Sequence, residues 1–187
     1  MMNKLVAHLE RLGACKEAVE WIALQPSLGQ AWLDCKRGDW MAWYVHRIGA
    51  DGKSWSEKRK PFVRAMCKCA RLAQKYVPKN EKRPMLCIET HEAWTRGGAT
   101  IEQCTAAARV AWAAREAWAA RAAWAAVAAG AAGAAWAAGA AWAAGEAGAA
   151  WAAGAAGAAA EAVRTKTLVQ CADIVREFYP TLPKRKG

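Results

Sequence analysis

Between Ala111 and Ala160 the chain keeps a strict count of three. From Trp112 onward every third residue is Trp, Arg, Val or Gly: Arg115, Trp118, Arg121, Trp124, Val127, Gly130, Gly133, Trp136, Gly139, Trp142, Gly145, Gly148, Trp151, Gly154 and Gly157 follow. The residues between them are Ala, apart from Glu116 and Glu146. Alanine has the highest helix propensity and the run contains no Pro, so helix is the first expectation. The period is not that of an α-helix. At about 3.6 residues per turn, a three-residue step falls about 60° short of a full turn. Trp112, Trp118 and Trp124 would then point three different ways, on a helix with no polar face. In a 3₁₀-helix, residues three apart eclipse, and Trp and Gly would form one stripe between plain Ala faces. Long 3₁₀ runs are uncommon. An α-helix or helical hairpin therefore stands first and an extended 3₁₀-helix second.

Trp and Gly on one phase suggest a packing logic. Trp112, Trp118, Trp124, Trp136, Trp142 and Trp151 each carry a large apolar surface, and Gly lets another backbone approach closely. A single α-helical rod over this tract would be about 75 Å long, more than a chain of this size can bury. Folding back near Gly130–Gly133 or Gly145–Gly148, or self-association through the tract, is the expected answer.

The remainder reads as ordinary amphipathic helices. Leu5, Val6, Leu9 and Leu12 mark a first helix ended by Gly13. Ala18, Val19, Trp21, Ile22 and Leu24 mark a second, stopped at Gln25–Pro26. Ser27 caps a third that carries Leu28, Trp32 and Leu33 and ends near Gly38; Asp39 is expected to cap a fourth, with Trp40, Trp43, Tyr44 and Ile48 at helical spacing. From Ser54 to Val77 the pattern predicts a helix, with Pro61 in an early turn or at its true start. Phe62, Val63, Met66, Leu72 and Tyr76 share its apolar side. Pro84 to Gly97 is a further helix, and Thr100 with Gln103 forms a capping box leading without a break into the tract. Glu161 to Tyr179 closes the series, stopped by Pro180 and Pro183.

Opposite the apolar side of the Ser54–Val77 helix lie Lys58, Arg59, Lys60, Arg64, Lys68, Arg71 and Lys75. The chain as a whole carries a formal net charge of +11. These residues are the candidate contact for phosphates or an acidic partner, helped by the tail Lys184-Arg185-Lys186. No aromatic residues alternate with them to stack bases, so a solvated face remains the plainer explanation.

Other motifs fail on inspection. Gly52-Lys53-Ser54 lacks the upstream Gly of a phosphate-binding loop. Thr90-His91-Glu92 would begin a zinc-protease helix, but the second His position holds Thr95. Cys87 and His91 share a helical face, yet a zinc site needs more ligands. Arg37-Gly38-Asp39 reads as a helix end followed by a cap. No catalytic residue, cofactor or metal site is expected, and the chain is read as non-enzymatic. Seven Cys in no regular framework, with no secretory signal at the start, point to reduced thiols and a cytoplasmic protein. Residues 122–145 carry no charge and are long enough to span a bilayer. Weakly apolar Ala and Gly, with Trp spread along the run, argue against it.

Outside the tract the chain resembles a bacterial and phage family that bears the name immunity protein. The likeness lies in Cys69-Ala70-Arg71-Leu72-Ala73, Tyr76-Val77-Pro78, Arg83-Pro84, Ile88-Glu89-Thr90, Ala93-Trp94, Arg96-Gly97 and Cys171-Ala172-Asp173-Ile174-Val175-Arg176. An Ala-rich stretch with recurring aromatics between them also matches. The resemblance implies binding and neutralising a partner toxin, and it assigns no functional residue.

The reading is an all-α protein. A helical domain over residues 1–105 precedes the period-three tract at 106–160, and an amphipathic helix with a basic tail over 161–187 packs back on the first part. Its leading function is protein–protein interaction of the immunity type. A nucleic-acid-associated protein using the basic helix and a membrane-active protein using the uncharged tract are the alternatives.

Overall fold

The computed structural model describes residues 4–48, 55–77, 79–119 and 157–183, with the backbone alone at 76, 112–119 and 157–162. Among the described residues every regular element is helical: α1 (Lys4–Leu12), α2 (Lys16–Ala23), α3 (Leu28–Asp34), α4 (Gly38–Ile48), α5 (Lys60–Ala73), α6 (Arg83–Thr95), α7 (Ile101–Ala119) and α8 (Gly157–Phe178). Short 3₁₀ turns, Glu57–Arg59 and Gln74–Tyr76, flank α5. No helix among these residues is long and apolar enough to cross a membrane.

Local chemistry sets most of the boundaries. Gly13 and Gly97 have positive φ, 78° and 82°, a conformation that costs Gly nothing. Each terminates a helix by a Schellman motif. After α1, Gly13 N donates to Glu10 O and Ala14 N to Leu9 O; after α6, Gly97 N donates to Trp94 O and Gly98 N to Ala93 O. Ser27 Oγ accepts from Gln30 N at 3.1 Å and caps α3. Thr100 and Gln103 form the reciprocal capping box, with Gln103 N to Thr100 Oγ1 at 3.2 Å and Thr100 N to Gln103 Oε1 at 2.7 Å. Pro61 stands in the first turn of α5, where its missing N–H costs nothing.

Two boundaries differ from the sequence reading. Asp39 does not cap α4. The helix already includes Gly38, and Met41 N donates to Arg37 O at 3.1 Å. The Asp39 carboxylate instead accepts from Arg37 Nε at 2.9 Å, which folds the Arg37-Gly38-Asp39 corner inward. The second difference is before α5, where the chain makes a 3₁₀ turn and turns Arg59 into the interior.

The core is shared by all the helices. Leu9, Ile22, Trp32, Met41 and Val45 from the first four meet Phe62, Met66, Cys67 and Ile88 from α5 and α6; Cys104, Ala108 and Ala111 of α7 and Ala172, Ile174 and Val175 of α8 complete it. Helix α6 packs on α5 and α7, and α8 lies across α4 and α5. The closing helix thus packs back on the first part of the chain. Trp32 Nε1 donates to Tyr179 O at 3.0 Å, and Arg176 Nη2 donates to Cys35 O. Between α1 and α4 a carbon-lined cavity of about 60 Å³ remains among Leu9, Trp21, Ile22, Trp32, Trp40 and Tyr44.

The start of the period-three tract falls within α7, so Trp112, Arg115 and Trp118 stand on an α-helical backbone, as does Gly157 at the start of α8. Trp124, Trp136, Trp142 and Trp151, the Gly52-Lys53-Ser54 loop and the Lys184-Arg185-Lys186 tail lie outside the described residues.

Gly38 is where α4 meets α8. A Cβ built there would stand 2.4 Å from Cys171 Cβ, 2.6 Å from Ala172 N and 2.7 Å from Cys171 C. Two of those atoms are backbone and cannot swing away. Gly38→Ala is expected to destabilise the fold by about 1–3 kcal/mol through overpacking. Gly29→Ala, whose new Cβ meets only Ser27 Oγ at 3.8 Å, should instead raise stability by about 0.5 kcal/mol. Urea unfolding of the two variants checks both signs.

Candidate acidic-partner interface

Helix α5 is amphipathic in the plain sense. Phe62, Val63, Ala65, Met66, Cys67, Ala70 and Ala73 are buried, which leaves Arg64, Lys68 and Arg71, spaced four and three apart, on the outer face. Helix α6 on one side and the end of α8 on the other turn that face into an open cleft of about 480 Å³, lined by Arg64, Lys68, Arg71, Glu92, Thr95, Arg96 and Phe178.

Three of the cations have defined partners. Arg64 Nη2 donates to Thr95 O at 2.9 Å, satisfying a carbonyl at the C-terminal end of α6, where cations are favoured. Lys68 pairs with Glu177 of α8. Arg71 grips Glu92 with two parallel bonds, Nε to Oε1 at 2.8 Å and Nη2 to Oε2 at 2.7 Å. The Arg71 hydrogen bonds hold the Glu92 carboxyl below its ordinary range, partly opposed by burial, with smaller help from the Arg71 and Arg96 charges. Two of the cleft's four cations are thus matched by carboxylates. Among the described residues Arg64 and Arg96 make no ion pair, so the cleft keeps an excess of positive charge.

The sequence-predicted cations divide accordingly. Arg64, Lys68 and Arg71 come together. Lys58 is exposed on the 3₁₀ turn before α5, away from the cleft lining, and Lys75 is exposed on the turn after it. Lys60 turns back to Glu57 at 2.7 Å and stands 5.7 Å from the Trp94 ring centre. Arg59 corrects the reading outright. It is 6% exposed, with Nη1 2.8 Å from His46 Nδ1. Sequence reasoning missed Glu92, Thr95, Arg96, Glu177 and Phe178 as members of this site.

A second cluster is internal. His91 is fully buried; its Nδ1 donates to Cys87 O at 2.8 Å and lies 3.7 Å from Cys87 Sγ. Its Nε2 is enclosed without a hydrogen-bond partner among the described residues, and burial depresses its pKa against the raising effect of the Cys87 carbonyl. Burial also pushes the Cys87 thiol up to about 12 and the Cys104 thiol to about 11. Such thiols are inert. No group of three or more His, Cys, Asp or Glu able to hold a metal ion occurs among the described residues.

No protein-family model matches the chain, and neither a curated protein nor a solved structure matches it. The resemblance to the immunity-named family therefore stands on its quoted motifs alone. In the fold those residues do packing and capping work: Ala70, Ile88, Trp94, Ala172 and Val175 are buried, Gly97 ends α6, and Arg83 Nε donates to Glu81 at 2.8 Å.

Burial lowers the pKa of all three histidines. Burial, the Arg59 charge and the Arg47 charge, in that order, lower His46 from 6.5 to about 4; burial and then Arg11 lower His8. An unfolded chain takes up these protons near 6.5 while the folded chain refuses them, so stability is lost as pH falls from 6.5 towards about 4. Urea unfolding at a series of pH values should show that slope. His46→Asn, which keeps an acceptor for Arg59, should remove much of it.

Proposed function

We propose that the chain is a non-enzymatic protein–protein interaction protein of the immunity type, and that the cleft between α5, α6 and α8 receives an acidic segment of its partner. The observation that carries this reading is the pair Arg64 and Arg96, two guanidinium groups in the cleft without an ion-pair partner among the described residues. Guanidinium forks suit carboxylates, and Arg64 is already oriented by its bond to Thr95 O. Glu92 and Glu177 favour a protein partner over a nucleic acid. A continuous run of phosphates would meet both of these carboxylates, whereas a peptide with spaced acidic side chains can avoid them. The cleft lining includes one aromatic ring, Phe178, which is a poor stacking platform for successive bases. The buried Cys87–His91 contact, with its raised thiol, is the opposite of an activated nucleophile.

In this reading the period-three tract is a second packing surface, Trp over Gly, assigned on its sequence pattern alone. Both helical forms, α and extended 3₁₀, remain compatible with that role.

The test is a pull-down from nuclease-treated host lysate with the native chain and with the double variant Arg64→Glu, Arg96→Glu. A stoichiometric protein retained by the native chain should be lost, or bound at least tenfold more weakly (about 1.4 kcal/mol), by the variant, and its retention should fall with salt. Equal capture by both chains would move the partner off the cleft. Capture of nucleic acid from a parallel untreated lysate, with no stoichiometric protein retained from the treated one, would overturn the reading.

A further inference from the structure

We infer that Cys69 of α5 and Cys171 of α8 are a disulfide-forming pair, a site at which a small oxidised thiol compound can fasten the closing helix to the core. The two residues are 102 positions apart, yet Cys69 Sγ donates to the Cys171 carbonyl oxygen at 3.9 Å, and the neighbouring Cys171 side chain raises the Cys69 pKa. Both side chains are half-buried, so a small reagent can reach them, whereas Cys35, Cys67, Cys87 and Cys104 are buried. Cys15 is exposed and is the obvious competitor for the reagent.

The surroundings restrict where Cys171 can go. Its Cβ sits directly over Gly38, so close that no side chain fits at that position. Helix α5, which carries Cys69, packs against the same helix α8. The same two helices are also joined by the Lys68–Glu177 ion pair. A covalent link there would join two helices that already pack together.

The chemistry balances with a low-molecular-weight disulfide as oxidant. The Cys171 thiolate attacks one sulfur of that disulfide, forming a mixed disulfide and expelling one small thiolate. Cys69 then attacks the Cys171 sulfur of the mixed disulfide, the Sγ–Sγ bond forms, and a second small thiolate leaves. The two protons given up by the cysteines convert both leaving thiolates to thiols. The small disulfide is reduced and the cysteine pair is oxidised. The contact with Cys171 and burial raise the Cys69 pKa, so Cys69 gives up its proton only as it attacks in the second step, where intramolecular proximity favours the reaction.

The experiment equilibrates the full native chain with oxidised and reduced glutathione, traps remaining thiols and maps peptides by mass spectrometry. The expected product joins the Cys69 and Cys171 peptides, with the loss of two hydrogen atoms, and leaves five of the seven thiols open to trapping after denaturation. Its urea midpoint should be higher than that of the reduced chain, because the link restrains the unfolded state. Cys15→Ser should leave the product unchanged. Cys69→Ser should stop at a glutathione adduct on Cys171. Glutathione adducts on both Cys69 and Cys171 of the native chain, or a link that forms only when urea is present during oxidation, would overturn the inference. The mapping on the native chain needs no variant, so a variant that fails to fold does not remove the test.

Discussion

The docking of α8 against α4 and α5 is the contact on which the rest of the structure depends. It is made at backbone distance, because position 38 has no side chain and the backbone at Cys171 and Ala172 comes down onto it. That approach places Val175 and Ile174 in the core and brings Arg176 to the Cys35 carbonyl. It also carries Glu177 and Phe178 to the edge of α5, where one neutralises Lys68 and the other walls the cleft. Without α8, the cleft would have neither its far wall nor one of its two carboxylates. Fold and candidate site therefore share one joint.

The cleft also shows how a chain of net charge +11 limits its own repulsion. The excess is not spread evenly. Where two helices must lie close, cations are matched, as in Arg71 with Glu92 and Lys68 with Glu177. Such half-exposed pairs contribute little to stability, about 1 kcal/mol or less each. They do fix the position of long side chains beside Arg64, which is itself tied to Thr95 O, so part of the remaining charge is presented in a fixed geometry. A partner would lose less entropy binding to such a surface than to a row of free lysines.

How much of this was legible in the sequence depended on range. Signals that act within one helical turn were readable: Gly13 and Gly97 as stops, Ser27 as a cap, Thr100 with Gln103 as a box, and Pro61 near a helix start. Their chemistry is complete within a few residues. The apolar face of α5 was readable from spacing, and with it Arg64, Lys68 and Arg71. Arg59 was misread because charge type speaks for solvent, while a 3₁₀ turn of three residues, Glu57–Arg59, decides which way it faces. Asp39 was misread because a cap and an ion pair with Arg37 use the same carboxylate. Glu92 and Glu177 could not be paired with their cations, which lie 21 and 109 positions away. Only the fold supplies that proximity.

The bond from Trp32 Nε1 to Tyr179 O spans 147 positions, and this separation matters during synthesis. At the usual pace of translation, about 5–20 residues per second, roughly 7–30 s pass between the appearance of the donor and that of its acceptor. For that interval α4 exists without the closing helix that packs on it. Until then the aromatic-rich first quarter of the chain is a nascent segment with an uncovered apolar face, the kind of surface on which holding chaperones act. The fold is closed from its far end.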